Sequence, residues 1–198
     1  MNKIVLAGLV TEEPIFSHEV HGENFYRFRL LSSRQSGNCD ILMCTVPEII
    51  KNGINEGNMV KVSGEIRTRN VHEDEKNHLE VTVFVKEVLS YEEDENNVEL
   101  YGFICKEPTY RVTPFGRQIT DLMVASNREY FKSDYIPCIA WGRNAIRASE
   151  FNVGTRVKVL GRLQSREYKK KIDDETYEVR IAYELSASMI DVVEEREG

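Results

Sequence analysis

Residues 157–166 read VKVLGRLQSR and residues 60–69 read VKVSGEIRTR, so one short stretch of this chain occurs twice. The likeness continues outward from both copies. A shift of 94 places Gly8 on Gly102, Asp40 on Asp134 and Cys44 on Cys138, and a three-residue insertion then places Gly64 on Gly161. Self-similarity over this length indicates two homologous units in tandem.

Alternating apolar and polar residues predict that each unit is mostly β. In the second unit, strands are predicted over 97–105, 118–127, 134–141, 155–168 and 176–190, with one short helix over 142–151. Five strands with a helix after the third are the order of an OB-fold, a small Greek-key barrel. We therefore predict an all-β chain of two tandem OB-folds, over 1–91 and 98–198, joined by an acidic, solvated linker over 92–97. In the first unit, Pro47 is placed to begin the helix.

Charge and composition narrow the class of function. The net charge is −7, but residues 1–96 carry 10 Lys and Arg against 17 Asp and Glu, whereas residues 97–198 carry 16 of each. The local density of cations, more than the total charge, sets affinity for phosphate, which favours the second unit as a nucleic-acid partner.

The four cysteines form no C-x-x-C pair and no nucleophile–base motif stands out, so we expect no metal, no cofactor and no enzyme activity. Without an apolar run of about 20 residues, a cytoplasmic protein that spans no membrane is expected.

The faces of two predicted strands carry the functional signal. Along 157–168, one parity is apolar and the other is polar and basic, comprising Lys158, Arg162, Gln164, Arg166 and Tyr168. On the third strand, Tyr135 and Trp141 share the face opposite to the core. Rings beside arginines suit the stacking of bases and the pairing of phosphates. Two other interpretations remain open: the rings could cover an interface with the other repeat, and the arginine row could be an ordinary solvated face.

Three stretches of the second unit resemble bacterial single-stranded DNA-binding proteins. They are EPTYRVTPFG at 107–116, DYIPCIAWG at 134–142 and VLGRLQSREY at 159–168, and the resemblance covers residues 97–192. It implies that bases stack on Tyr130, Tyr135, Trp141 and Tyr168. It also implies basic contacts from Arg111, Arg128, Arg143, Arg162 and Arg166, to which the strand pattern adds Gln164. Lys169, at the start of the loop that follows, is a further candidate, and neutralisation by the acidic residues at 173–175 is the alternative.

The first unit departs from that pattern. The positions that match the stacking aromatics are Ser36, Ile41, Pro47 and Val71, and Glu65 stands where the second unit has Arg162. We expect weaker contacts with DNA here, through Arg34, Arg67 and Arg69. A structural or partner-binding role is the other expectation for this unit.

The first strand of each unit has apolar residues on both faces, which indicates that both faces are covered. The outward residues are Val5, Ala7, Leu9, Tyr101 and Phe103. In the family that the second unit resembles, first strands pair between subunits and four OB-folds form the working unit. We predict that the two repeats pair as a pseudo-dimer within the chain, and that two chains associate into a homo-oligomer with four folds.

The leading hypothesis is sequence-tolerant binding of single-stranded DNA in DNA replication, recombination or repair, with proteins of those processes as further candidate partners. Two alternatives stay open. One is a primosome-type OB adaptor that binds proteins and touches single-stranded DNA weakly. The other is an RNA-binding OB protein, since stacking alone does not distinguish the two sugars.

Overall fold

The computed structural model describes residues 1–34, 36–73, 76–129, 132–171 and 176–193. Within them the first repeat has strands β1 (Asn2–Val10), β2 (Ile15–Val20), β3 (Glu23–Ser33), β4 (Cys39–Pro47), β5 (Met59–Glu73) and β6 (Lys76–Leu89). The second has β7 (Asn96–Val112), β8 (Gln118–Asn127), β9 (Ser133–Trp141), β10 (Arg156–Lys171) and β11 (Tyr177–Val192). The helices of the described residues are the 3-10 turn η1 (Glu48–Ile50) and α1 (Arg143–Ser149). Neither is long and apolar enough to cross a bilayer.

Each repeat is a closed barrel, which confirms the all-β prediction of tandem OB-folds. In the first repeat β1 pairs with β3 and β5, and β4 pairs in parallel with β6. In the second, β7 pairs with β8 and β10, and β9 pairs in parallel with β11. Alternation places the apolar parity of each strand inside, so that Val157 and Val159 of β10 are fully buried, as predicted.

Glycines allow the first strands to lie close to the backbones of their neighbours. A Cβ added to Gly8 would lie 2.0 Å from the carbonyl oxygen of Leu31, and one added to Gly102 would lie 2.4 Å from that of Ala125. These distances are far below van der Waals contact, so only glycine lets the backbones approach this closely. The two sites occupy the same place in their repeats, which explains why glycine recurs at both.

The helical segments differ between the repeats. Residues 142–151 were predicted helical, and α1 lies inside that range with Ala145 and Ala148 buried against the barrel. In the first repeat Pro47 precedes only the single turn η1, which buries no residue. The first repeat is three residues shorter between this turn and Gly57 than the second repeat is between the equivalent point and Gly154, which leaves less chain for a full α-helix.

The two barrels join through their first strands, which confirms the predicted pseudo-dimer within the chain. β1 runs antiparallel to β7 with Ile4 opposite Val98, while Asn2 faces Leu100 and Leu6 faces Asn96. Positions that are equivalent by the repeat thus pair around an approximate two-fold axis. The result is one continuous sheet of eleven strands among the described residues.

The segment predicted as a solvated linker, 92–97, is packed in part. Asn97 and Asn96 belong to β7, and the side chain of Asn96 exchanges hydrogen bonds with the backbone of Leu163. Glu95 pairs with Lys61 at 2.6 Å, and its carbonyl accepts from the Ala7 N–H at 2.7 Å. This contact also explains why Ala7, predicted to face outward, is fully buried. Glu92, Glu93 and Asn97 nevertheless remain exposed, so the prediction holds for about half of the segment.

Candidate nucleic-acid interface

An open groove of about 480 Å³ runs across the second repeat. Its walls come from the β7–β8 hairpin, from β9, β10 and β11, and from Arg34 of the first repeat. We call it groove two; it is lined by Arg34, Arg111, Thr113, Arg117, Ile119, Ile139, Trp141, Arg162, Gln164, Ser165, Arg166, Glu184 and Ser186. An apolar floor between arginines is a surface that accommodates a base and its phosphates together.

The predicted aromatics are displayed to solvent. Tyr135, Trp141 and Tyr168 are 49%, 37% and 38% exposed. The indole N–H of Trp141 donates to Ser186 Oγ at 3.2 Å, which holds the ring in the groove. Tyr135 lies six residues away along β9, roughly 20 Å, and outside groove two. Tyr130 is outside the described residues.

Two of the predicted basic contacts are held by a buried aspartate of the first repeat. Asp40, only 1% exposed, pairs with Arg34 and lies 3.4 Å from Arg162 Nη1. The same carboxylate accepts from the backbone N–H of Ser165 at 2.8 Å. Its hydrogen bond raises the pKa of Arg34, whereas burial and the charge of Arg34 lower the pKa of Arg162. One negative charge therefore orders two guanidinium groups, and one unit of positive charge remains at the edge of groove two.

The same arrangement recurs at the equivalent aspartate, Asp134. It is 0% exposed and accepts from the backbone N–H of Thr68 at 2.7 Å and from Arg67 Nη1 at 3.0 Å. Arg128 Nε lies 3.1 Å from the same carboxylate in an orientation that forms no hydrogen bond. Each aspartate thus accepts a hydrogen bond from the backbone within a strand of the other repeat. We call these two sites the aspartate clamps; Arg67 and Arg128, predicted to contact DNA, belong to the second.

Gln164 was predicted to contact DNA, and its side chain is hydrogen-bonded within the protein. The residue is 6% exposed, accepts from Arg162 Nη2 at 3.1 Å and donates to Glu184 Oε1 at 2.8 Å. Glu184 in turn lies 3.5 Å from Arg166 Nε. The Gln164 amide is thus used on both sides, so Gln164 positions Arg162 at the wall of groove two. Strand parity places it correctly but does not reveal the buried Glu184 on the next strand.

The other predicted basic residues are dispersed. Arg111 lines groove two and pairs with Asp121 at 2.7 Å, with both side chains well exposed. Arg143 begins α1 and is exposed away from the groove. Arg69 lies in the first repeat, and the Lys169 side chain is outside the described part of the structure.

Two residues of the β7–β8 hairpin were missed. Arg117 lines groove two, and Phe115 at the tip of the hairpin is 92% exposed. The signal was present in Pro114-Phe115-Gly116, because a ring between proline and glycine in a turn cannot reach the core. Both residues enlarge the exposed surface of the second repeat on which a nucleic-acid strand in contact with Trp141 would lie.

A smaller groove of about 220 Å³ occupies the equivalent place in the first repeat. We call it groove one; it is lined by His18, Arg27, Thr45, Arg67, Thr68, Arg69, Glu80, Thr82, Phe84 and Arg128. Phe84 comes from β6 and has the Arg67 guanidinium 5.8 Å above its ring. The positions aligned with the second repeat predicted no aromatic here, since they do not include the β6 position that supplies this ring.

Comparison with known proteins gives concordant results. Residues 95–190 match the model of the single-strand binding protein family. Single-stranded DNA-binding protein A of Bacillus subtilis is 29% identical over 110 residues, 52% of this chain and 62% of that protein. Single-stranded DNA-binding protein 1 of Staphylococcus aureus is 34% identical over 83 residues, 38% of this chain and 50% of that protein. The matches thus span about half of these relatives or slightly more.

The fold of the whole chain has a solved counterpart. The wild-type single-stranded DNA binding protein from Thermus aquaticus superposes with a TM-score of 0.79 at 21% identity, covering 100% of this chain and 95% of the other. A deletion mutant of the same protein gives a TM-score of 0.78 at 22% identity. Both repeats are included in this likeness, which supports the tandem arrangement of the fold.

Proposed function

We propose that this chain, whose second repeat belongs to the single-strand binding protein family, binds single-stranded DNA with little sequence preference. The role is non-enzymatic and cytoplasmic, in replication, recombination or repair. Support comes from the family match over 95–190 and from the chemistry of groove two. Since every base has a π-face, a fixed ring among arginines selects unpaired strands without reading their sequence.

The observation that carries the proposal is the position of Trp141. Its ring is held by Ser186 and lies in one groove with Arg111, Arg117 and Arg166. The indole stacks on one base while the guanidinium groups reach phosphates on either side. A duplex hides its bases within the helix and presents no such face to the ring.

The path of the strand extends beyond the groove in this proposal. Tyr168 continues the β10 row past Arg166, whose guanidinium lies 5.9 Å from the tyrosine ring. Tyr135 offers a further ring at the opposite end of β9, beside the second aspartate clamp. Repeat two, 98–198, supplies the principal contacts, and repeat one, 1–91, mainly completes the assembly.

Trp141 is the single tryptophan of the chain, so its fluorescence reports directly on groove two. We expect quenching on titration with oligo-dT and none with a duplex of equal length. Competition with oligo-rU tests the sugar preference, and a stronger effect of the RNA would redirect the proposal to an RNA-binding protein. Absence of quenching by any single strand would refute the proposal.

Association of two chains is a further part of the proposal. The outer face of the β1–β7 ladder has Val5, Leu9 and Tyr101 half-buried and Phe103 exposed. At its margin, Lys158 forms an ion pair with Glu99 at 2.8 Å. A second copy packed on this face would cover these side chains and bring four OB-folds together. Sedimentation of the full chain should give twice the monomer mass, and a strict monomer at micromolar concentration would contradict the association.

A further inference from the structure

Groove one contains an internal anion at the centre of its cations. The Glu80 carboxylate accepts from Arg27 Nη1 at 2.7 Å and from Arg27 Nη2 at 3.1 Å. Arg69 Nε pairs with the same carboxylate from the neighbouring strand. Two guanidinium groups on one pair of oxygens is the arrangement in which arginine binds a phosphate.

Glu80 is well held in this position. Burial alone would raise its pKa, but the hydrogen bonds from Arg69 and Arg27 outweigh burial and leave the pKa below its ordinary value. The group is therefore ionised at neutral pH. Arg27 Nε is buried and has no hydrogen-bond partner among the described residues, so Glu80 does not satisfy every donor of that guanidinium.

The second repeat has no carboxylate at the corresponding place. Arg69 lies opposite Glu80 in the β5–β6 ladder, and Arg166, its equivalent, lies opposite Ala182 in the β10–β11 ladder. The carboxylate near Arg166 is Glu184, at 3.5 Å, which also accepts from Gln164. The residue opposite the outer arginine therefore differs between the grooves: it is Glu80 in groove one and Ala182 in groove two.

We infer that groove one is a second site for the phosphodiester backbone of a single strand, and that Glu80 occupies the place of one phosphate and keeps the site closed. The inference rests on the proposed function for its ligand class. The strand is bound by groove two alone as long as Glu80 holds Arg27 and Arg69. Phe84 then provides a ring beside the closed site, ready for a base once the arginines are released.

Exchange of the two equivalent residues tests this inference on the full chain. Glu80→Ala gives groove one the side chain found in groove two, and Ala182→Glu gives groove two the anion of groove one. Asp191→Ala is the matched control, because it removes one negative charge and one ion pair, with Arg147, outside both grooves. The measurements are the salt dependence of oligo-dT affinity and the nucleotides of poly-dT occluded per chain.

Glu80→Ala should steepen the salt slope by about 1.4, since two released arginines each displace about 0.7 counterion from a single strand. The occluded length should rise by several nucleotides, within the roughly 4–16 that an OB-fold covers. Asp191→Ala should change neither quantity, and Ala182→Glu should weaken binding. Glu80→Gln, which keeps the volume and one hydrogen bond, repeats the test should the alanine variant fold poorly.

The outcomes separate the inference from the proposed function. A Glu80 variant with the slope and occluded length of Asp191→Ala would overturn the inference, while weakened binding by Ala182→Glu would leave the role of groove two intact. Were the unaltered chain unable to bind oligo-dT, the proposed function would fail. In that case, a Glu80 variant that bound oligo-dT would still support the inference. A Glu80 variant that also failed to bind would refute the inference together with the proposed function.

Discussion

The two repeats have the same barrel and the same aspartate clamp but present their arginines differently. In groove two, Arg117 has no ion pair among the described residues, and Arg166 has its nearest described carboxylate at 3.5 Å. In groove one, Glu80 engages both Arg27 and Arg69. A shared fold therefore does not imply a shared surface, and one acidic side chain on a neighbouring strand is enough to engage two arginines.

Substitutions in the aspartate clamps should cause the largest loss of stability, and the loss should be equal in the two repeats. Asp40→Ala and Asp134→Ala each leave two guanidinium groups facing one another and a strand N–H without its acceptor. Removing one partner from a buried ion pair costs about 3–5 kcal/mol. Denaturant unfolding of the full chain measures this cost. A loss below about 1 kcal/mol for either variant would show that its clamp is not a structural joint.

Replacement of the aromatic ring in each groove should affect DNA binding differently. Trp141→Ala should weaken oligo-dT binding by about 1–3 kcal/mol, the loss of one stacked base. Phe84→Leu is the counterpart in groove one, chosen because Phe84 also packs on Phe25 and the leucine keeps most of that volume. We expect its affinity to equal that of the unaltered chain, as measured by fluorescence anisotropy of labelled oligo-dT. Equal losses in the two variants would mean that the strand uses both grooves.

The outer arginines provide a finer comparison. Arg166→Ala should reduce the salt slope of binding by about 0.7, the effect of one phosphate contact. Arg69→Ala should leave the slope unchanged, because Glu80 already neutralises that side chain. Titration of both variants with oligo-dT over a range of salt concentrations measures the two slopes. A flattened slope for Arg69→Ala would place a phosphate on groove one in the unaltered chain.

The smallest expected effect is on acid stability. Glu80 has its pKa below the ordinary value of 4.5, so its ion pairs stabilise the fold at neutral pH. That stabilisation is lost as the pH falls below 4.5 and through the lowered pKa of the folded state. Glu80→Gln should therefore be less stable than the unaltered chain at pH 7 and converge with it in acid. A gap in unfolding free energy that is constant with pH would contradict this account.

The sequence predicts the fold and the exposed rings because both follow from local periodicity. Alternation along β9 places Tyr135 and Trp141 outward, and recurrence of Gly8 as Gly102 marks the repeat. The clamps escape this reasoning, since Asp40 acts on Arg162, which lies 122 positions further along the chain. Alternation along a strand predicts which face of the sheet a residue occupies. It does not predict which residues of the other repeat contact that face.

The same limit applies to other residues that were predicted to contact DNA. Arg67 and Arg128 have the residue type that binds phosphate, yet the charge that engages them lies on Asp134 at the joint between barrels. Asp40 and Asp134 aligned in the repeat and could have been recognised as a recurring pair. Their burial and partners became visible only with the packing of one barrel on the other.

Photo-cross-linking tests the central claim most directly. Oligo-dT substituted with 5-iododeoxyuridine, irradiated with the full chain and mapped by mass spectrometry, reports which rings contact the bases. The account predicts cross-links on Trp141 and none on Phe84. Cross-links on Phe84 or His18 with Trp141 unmodified would place the strand in groove one and contradict the account.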